Sequence, residues 1–167
     1  MTLIRPSGTV AVLLTALLAL GACGTDSITI PDGTGGSVSV DTDDGDFSVE
    51  TDEGSVVGGT DLPDDFPTDE VPLIDGTITS GTSVNDAAAG ANGFTVSVQV
   101  DRSVADAADE AGELLLGAGF TSGGTMSSGD FSQGSYVGEK WQVVVSASPD
   151  FVDGKAVVTY IVVAEGS

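Results

Sequence analysis

Residues 94 to 120 read FTVSVQVDRSVADAADEAGELLLGAGF, and their periodicity decides the fold class. Phe94, Val96, Val98 and Val100 alternate with Thr95, Ser97 and Gln99, which puts the four apolar residues on one face of a strand. The period then changes. Val104, Ala108, Ala111, Leu115 and Ala118 recur at intervals of three and four, one apolar stripe along a helix. Ser103 is placed to cap that helix, with Asp106 three residues on in a capping-box arrangement. Asp106, Asp109 and Glu110 lie near its positive end. Gly117 and Gly119 stop it, and Phe120 is the natural first buried residue beyond.

Downstream, residues 130–137 and 141–147 flank a tight turn at Gly138-Glu139-Lys140. A second turn, Val152 to Lys155, leads into residues 156–163, where both faces are apolar. Such a strand is expected to be central or covered on both sides. Upstream, Asp75-Gly76 forms a turn, Thr77 to Ser80 begins a short strand, and Val84 to Asn92 reads as a loop or weak helical turn. Strand, helix and antiparallel meander predict an α+β two-layer sandwich. One main helix packs on a mostly antiparallel sheet of four to five strands.

Composition divides the rest of the chain. Eight of its nine aromatic residues follow position 60, so the core is expected there. Residues 24 to 75 hold fifteen acids and no base, which disfavours a packed core. Within this acidic part lies a nine-residue repeat, SVDTDDGDF at 39–47 and SVETDEGSV at 48–56. Each copy offers a short alternating strand and an acidic-Gly turn. Two copies make a small sheet with little apolar surface, marginal alone. The division is therefore 1–22 as a leader, 23–60 as an acidic, largely disordered tether, and 61–167 as the folded domain. Flexible, such a tether would average about 35 Å end to end and hold the domain off a membrane.

The repeat also poses a calcium question. Asp41 to Asp46 looks like the start of an EF-hand loop, but glycine falls at position 5 instead of 6, and position 12 is Asp52 instead of Glu. Weak attraction of divalent cations is the expectation, with no metal site and no cofactor. Further on, Leu62-Pro63-Asp64-Asp65-Phe66-Pro67 and Pro72-Leu73-Ile74-Asp75-Gly76 form a proline-stiffened entry to the domain. Two readings stay open there, a linker or a packed strand.

The N-terminus places the molecule. Val10 to Leu20 is an apolar run too short to span a bilayer, behind a single Arg5. It ends in Leu20-Gly21-Ala22-Cys23, which resembles the lipobox of bacterial lipoproteins. That resemblance implies a diacylglycerol thioether on Cys23 and cleavage before it, with acyl chains such as palmitate anchoring the chain at the outer face of the cell membrane. Two acyl chains anchor stably where one does not. The competing reading is a free or buried cysteine after an ordinary cleavable signal. The proline-rich entry is similar to that of uncharacterised actinobacterial envelope lipoproteins, and the composition resembles secreted proteins of high-GC Gram-positive bacteria. Neither resemblance brings an activity with it.

Charge and missing residues exclude whole classes. Beyond residue 22, only Arg102, Lys140 and Lys155 oppose 26 acids, so the chain repels nucleic acid and anionic lipid. With no histidine, Ser-His-acid and Cys-His catalysis are out. Gly117 to Gly123 departs from the dinucleotide fingerprint by one place and reads as a helix stop. Asp106 with Glu110, and Asp109 with Glu113, share helix faces and are expected to be solvated. Trp141, Tyr136 and Phe131 are candidates to line a groove, with core or sheet cover as the alternative. The function expected is a lipid-anchored envelope protein, not an enzyme, displaying a binding domain for an envelope protein or glycan. The alternatives are a carboxylate-only enzyme acting on envelope glycans and an inhibitor or immunity-type module.

Overall fold

The structure, a computed structural model, describes residues 27–31, 36–41, 46–51, 54–86, 91–151 and 154–165. Cys23 and residues 42–45 of the acidic repeat lie outside them. Ten strands and one helix are formed: β1 (Ser27–Pro31), β2 (Ser37–Asp41), β3 (Phe47–Thr51), β4 (Gly54–Gly59), β5 (Thr77–Asp86), β6 (Ala91–Val100), α1 (Val104–Gly117), β7 (Thr121–Ser128), β8 (Phe131–Val137), β9 (Trp141–Pro149) and β10 (Ala156–Ala164). All ten strands join one antiparallel sheet in the order β1-β2-β3-β4-β5-β6-β10-β9-β8-β7. Six strands run across as a meander. The chain then crosses through α1 to the far edge and returns as a second meander, closing beside β6.

This corrects the expected α+β two-layer sandwich with a sheet of four to five strands: the described chain is mostly one ten-stranded antiparallel sheet with a single helix. The five anticipated strands are β5, β6, β8, β9 and β10, and five more extend the sheet on both sides. Four of the additions come from residues 27–59, the stretch expected to be an acidic tether. Aromatic poverty argued against a core of its own, but a strand added to an existing sheet is held by its ladder of backbone hydrogen bonds. The fifth addition, β7, is exposed at all eight positions, so no burial imposes an alternating pattern on TSGGTMSS. Residues 84–86 also continue β5 where a loop was expected.

The ends of the helix are built as its sequence prescribes, but its buried face is shifted from the expected stripe: Ala107 and Gly112 join Ala111 and Leu115, Val104 and Ala108 are half-buried, and Ala118 is exposed. Ser103 Oγ accepts from the Asp106 N–H at 3.2 Å and donates to the Asp106 carboxylate at 2.7 Å. At the other end, the Phe120 N–H reaches Leu115 O and the Gly119 N–H reaches Leu116 O, with Gly119 at φ +94°. That is a Schellman stop, and glycine fits its left-handed position without strain. Ala107, Ala111, Gly112 and Leu115 are buried, and α1 packs on β8, β9 and β10.

One face of the sheet is covered. Phe94, Val96, Val98 and Val100 share it with Ala156, Val158, Tyr160 and Val162 through the β6–β10 register, and with Val143, Val145 and Ala147 through β9. The helix covers one half of this face. The proline-rich segment 60–76 straps the other half, burying Phe66, Val71 and Ile74. Phe66 meets Phe94 edge-on at 5.5 Å, and Phe94 meets Trp141 at 5.8 Å. The Ile74 N–H donates to the buried Tyr160 Oη at 3.0 Å. The strap crosses β5 so closely that a Cβ at Gly81 would sit 2.0 Å from the Asp61 carbonyl oxygen. Close backbone approach, not turn geometry, is why glycine stands there. β10 is interior to the sheet, as expected, but only one of its two apolar faces is covered.

Candidate functional site

The opposite face of the sheet is the feature that the fold leaves unexplained. No described element packs on it. Residues paired directly across an antiparallel ladder share a face, so the register traces it strand by strand. One row crosses the entire sheet: Ile30, Val38, Val49, Val56, Val84, Gly93, Val163, Gln142, Val137 and Thr121. Seven of these ten residues are aliphatic. Two residues along the strands a second row runs Phe47, Gly58, Thr82, Thr95, Ile161, Val144 and Ser135. The Phe47 ring lies over Gly58, where an added Cβ would come within 2.6 Å of it.

Exposure and charge set this face apart. Among the described residues twelve large apolar side chains are exposed, and eight of them lie here: Ile30, Phe47, Val84, Met126, Phe131, Val137, Ile161 and Val163. No residue of the two rows is Asp, Glu, Lys or Arg. That is unusual in a chain with 26 acids and four bases. Asp86, two places beyond Val84, pairs with Gly54 and Ala91 at the border of the first row. Between the aliphatic residues stand hydroxyls and amides, and Ser97 Oγ and Thr159 Oγ1 are hydrogen-bonded to each other at 3.1 Å. Charge resumes at the strand ends. Lys155 and Asp150 both bond the Gln99 amide at one rim, and Glu165 accepts from Gln142 at the other.

The covered face carries a smaller polar cluster. Glu70, on the strap, accepts from Lys140 Nζ and from Trp141 Nε1. Those two hydrogen bonds, the lysine's first, hold its carboxyl below the usual glutamate range. Both carboxylate oxygens are engaged, so Glu70 is a clasp for the strap and a poor proton donor. A cleft of about 450 Å³ opens beside it, lined by Phe120, Gly138, Glu139 and Trp141 among others. A second cleft, of about 290 Å³, lies between α1 and β8 over Tyr136. Burial, and then the negative charge of Asp109, push the Tyr136 phenol up from its ordinary value.

The candidate residues are distributed differently from the expectation. Trp141 and Tyr136 lie on the covered face and Phe131 on the open one, so the three line no common groove. Asp106 caps the helix and Glu110 pairs with Arg102, while Asp109 and Glu113 border the Tyr136 cleft. Of the candidate calcium loop from Asp41 to Asp46, the side chain of Asp46 is described. One of its carboxylate oxygens is buried against Gly59 without a hydrogen-bond partner. Among the described residues no group of three or more potential ligands is placed to hold a metal ion, and no helix is long and apolar enough to cross a membrane. The open face escaped sequence reasoning because it exists only through register. Its traces in the sequence are the repeat, whose Val49 and Val56 pair across one ladder, and the second apolar face of residues 156–163. Comparison with protein-family models, with curated proteins and with solved structures finds no match to this chain.

Proposed function

We propose that this chain is a lipid-anchored protein of the outer face of the cell membrane that works by binding, through the open face of its sheet. The observation that carries the binding half is the uncharged, aliphatic row across ten strands of a strongly acidic molecule. Contiguous apolar surface of this kind marks interaction sites in soluble domains. The anchoring half rests on Leu20-Gly21-Ala22-Cys23. Only three residues separate Cys23 from β1 at Ser27, which replaces the long stand-off with close attachment. On this reading the β1 edge sits within roughly 15 Å of the lipid, at about 3.5 Å per residue.

Two measurements test the two halves. Mass spectrometry of the protein from its native membrane should find Cys23 at the N-terminus carrying a diacylglycerol. Residues 1–22 still attached, or an unmodified Cys23, would refute the anchoring. Substituting Ile161→Lys on the open face should release the chain from whatever it is held to in envelope extracts while leaving its melting temperature nearly unchanged. Unaltered retention would refute the open face as the binding surface.

A further inference from the structure

We infer that the cleft between α1 and β8 is a second binding site, one that takes a primary ammonium group carried on a short aliphatic stem. It lies on the covered side of the sheet and is independent of the open face.

The Tyr136 hydroxyl carries the inference. Tyr136 is only 6% exposed, yet among the described residues its hydroxyl makes no hydrogen bond. The other buried tyrosine, Tyr160, accepts from the Ile74 N–H. A buried polar group without a partner is costly, and phenylalanine would fill the same place in the core without that cost. Two glycines make room for the hydroxyl. A Cβ at Gly112, within α1, would lie 2.4 Å from Tyr136 Oη, and a Cβ at Gly134, within β8, would lie 2.8 Å from it. Glycine is a poor residue for the interior of a helix or a strand. Both glycines line the cleft, so the hydroxyl is delivered there and not to a partner in the protein.

The walls give the charge of the ligand. Asp109 and Glu113 border the cleft one helical turn apart. Like charges at that spacing repel, and the described bases are engaged elsewhere: Arg102 with Glu110, Lys140 with Glu70 and Lys155 with Asp101. An ammonium has three donors and no acceptor. Two carboxylates and one phenol oxygen match it in number and in sign. Burial and the charge of Asp109 raise the Tyr136 pKa, which keeps the phenol neutral. Ala108, Leu116 and Val145 supply apolar wall for the stem. At about 290 Å³ the cleft is at the small end of ligand sites, which suits one group the size of a side chain. Both carboxylates are exposed, so water and salt screen them and the affinity is modest.

The test titrates the full-length chain in detergent with Nα-acetyl-lysine methylamide while the ring signals of its two tyrosines are followed by NMR. The Tyr136 signal should move saturably and the Tyr160 signal much less. The uncharged Nα-acetyl-norleucine methylamide should leave both in place. Asp109→Asn combined with Glu113→Gln should weaken binding by about tenfold or more, and added salt should weaken binding to wild type. Tyr136→Phe, which keeps the ring, should lose about threefold to tenfold by calorimetry. An unchanged Tyr160 signal in each variant shows that the core is intact. Equal binding of n-butylamine would make the ligand a free amine, and tighter binding of the lysine amide would make it a lysine of a partner chain. The inference is overturned if the lysine amide moves neither signal, if the norleucine amide moves that of Tyr136 equally, or if the carboxylate variant binds undiminished. A neutral disaccharide that moves the Tyr136 signal where the amine does not would also overturn it. None of these outcomes depends on Ile161, so the open face stands or falls separately.

Discussion

The sheet has two regions that turn their apolar residues to different sides. In β6, β9 and β10 one set of apolar residues points under the helix and strap, where Val96, Val143, Val158 and Val162 are fully buried, while Val144, Ile161 and Val163 face the open side. In β2, β3 and β4 the covered side carries Ser37, Ser39, Ser48, Glu50, Ser55 and one exposed apolar residue, Val57, while Val38, Val49 and Val56 point the other way. The first region is stabilised by removing apolar surface from water. The second is stabilised by backbone pairing and by whatever comes to cover its aliphatic side. One continuous ladder thus joins a finished core to an unfinished one.

The sharpest way to separate the two is to delete comparable bulk from each. Leu115→Ala, at a fully buried site under the helix, should cost about 2–5 kcal/mol in urea denaturation. Val49→Ala, half-buried on the open side, should cost less than about 1 kcal/mol at concentrations where the chain is dilute. A cost at Val49 comparable to that at Leu115 would mean that the wing has a closed core of its own. The strap offers the next largest effect. Gly81→Ala drives a methyl group against the Asp61 carbonyl and the Pro63 ring. It should lose about 1–3 kcal/mol and expose residues 61–76 to proteolysis. Equal stability of the variant would show that the strap does not hold the covered face.

Tyr160 sharpens the same point through one hydrogen bond. In Tyr160→Phe the Ile74 N–H stays buried without its acceptor, at a cost of about 1–3 kcal/mol. Burial is the main cause that pushes the Tyr160 phenol up to about 12 from 10.0. The folded state therefore holds this proton more tightly than the unfolded chain. Its contribution is complete below pH 10 and is lost as pH rises toward 12. Wild type should lose stability over that interval, and the phenylalanine variant should lose less. Parallel alkaline profiles for the two would contradict the assignment.

What could be read in advance follows the same division. β6, α1 and β9 were legible because each has one face in the core and one largely polar, so period two or period three-to-four is written into Phe94 to Leu115 and Trp141 to Ala147, and β10 was legible as a continuous apolar run after a turn. The Schellman stop at Gly119 and the cap at Ser103 were legible because they are local. β7 was not, since a strand exposed on both faces has no pattern to show. The strap's path was not, because prolines prescribe extension without saying what lies beneath, although Gly76 and Gly81 marked the crossings. A Cβ at Gly76 would lie 2.5 Å from the Gln99 carbonyl oxygen. Of the acidic wing, expected to be a largely disordered tether, only β3 and parts of β2 and β4 coincide with the repeat, and β1 lies outside it. The membership of these strands in the sheet was not legible, because low bulk and high charge also describe a tether.

The smallest effect tests how the strap is latched at its far end. Glu70 accepts from Trp141, the sole tryptophan of the chain, so indole emission reports the latch directly. The Lys140 hydrogen bond, then that of Trp141, lowers the Glu70 pKa from 4.5. A depressed folded value means that the latch contributes fully above pH 4.5 and is lost as pH falls through the lower folded value. Both partners are near solvent, where salt screens them, so the global melting point should move little. Tryptophan emission should nonetheless titrate below pH 4.5 in wild type. Glu70→Gln keeps an acceptor for the indole N–H and removes the ionisation, so its emission should resemble wild type near neutrality and stay flat into acid. An acid transition of unchanged midpoint in that variant would move the signal to another carboxyl. The strap would then be held by Phe66, Val71 and Ile74 alone, leaving the covered face closed by apolar contact and the hydrogen bond of Ile74 to Tyr160.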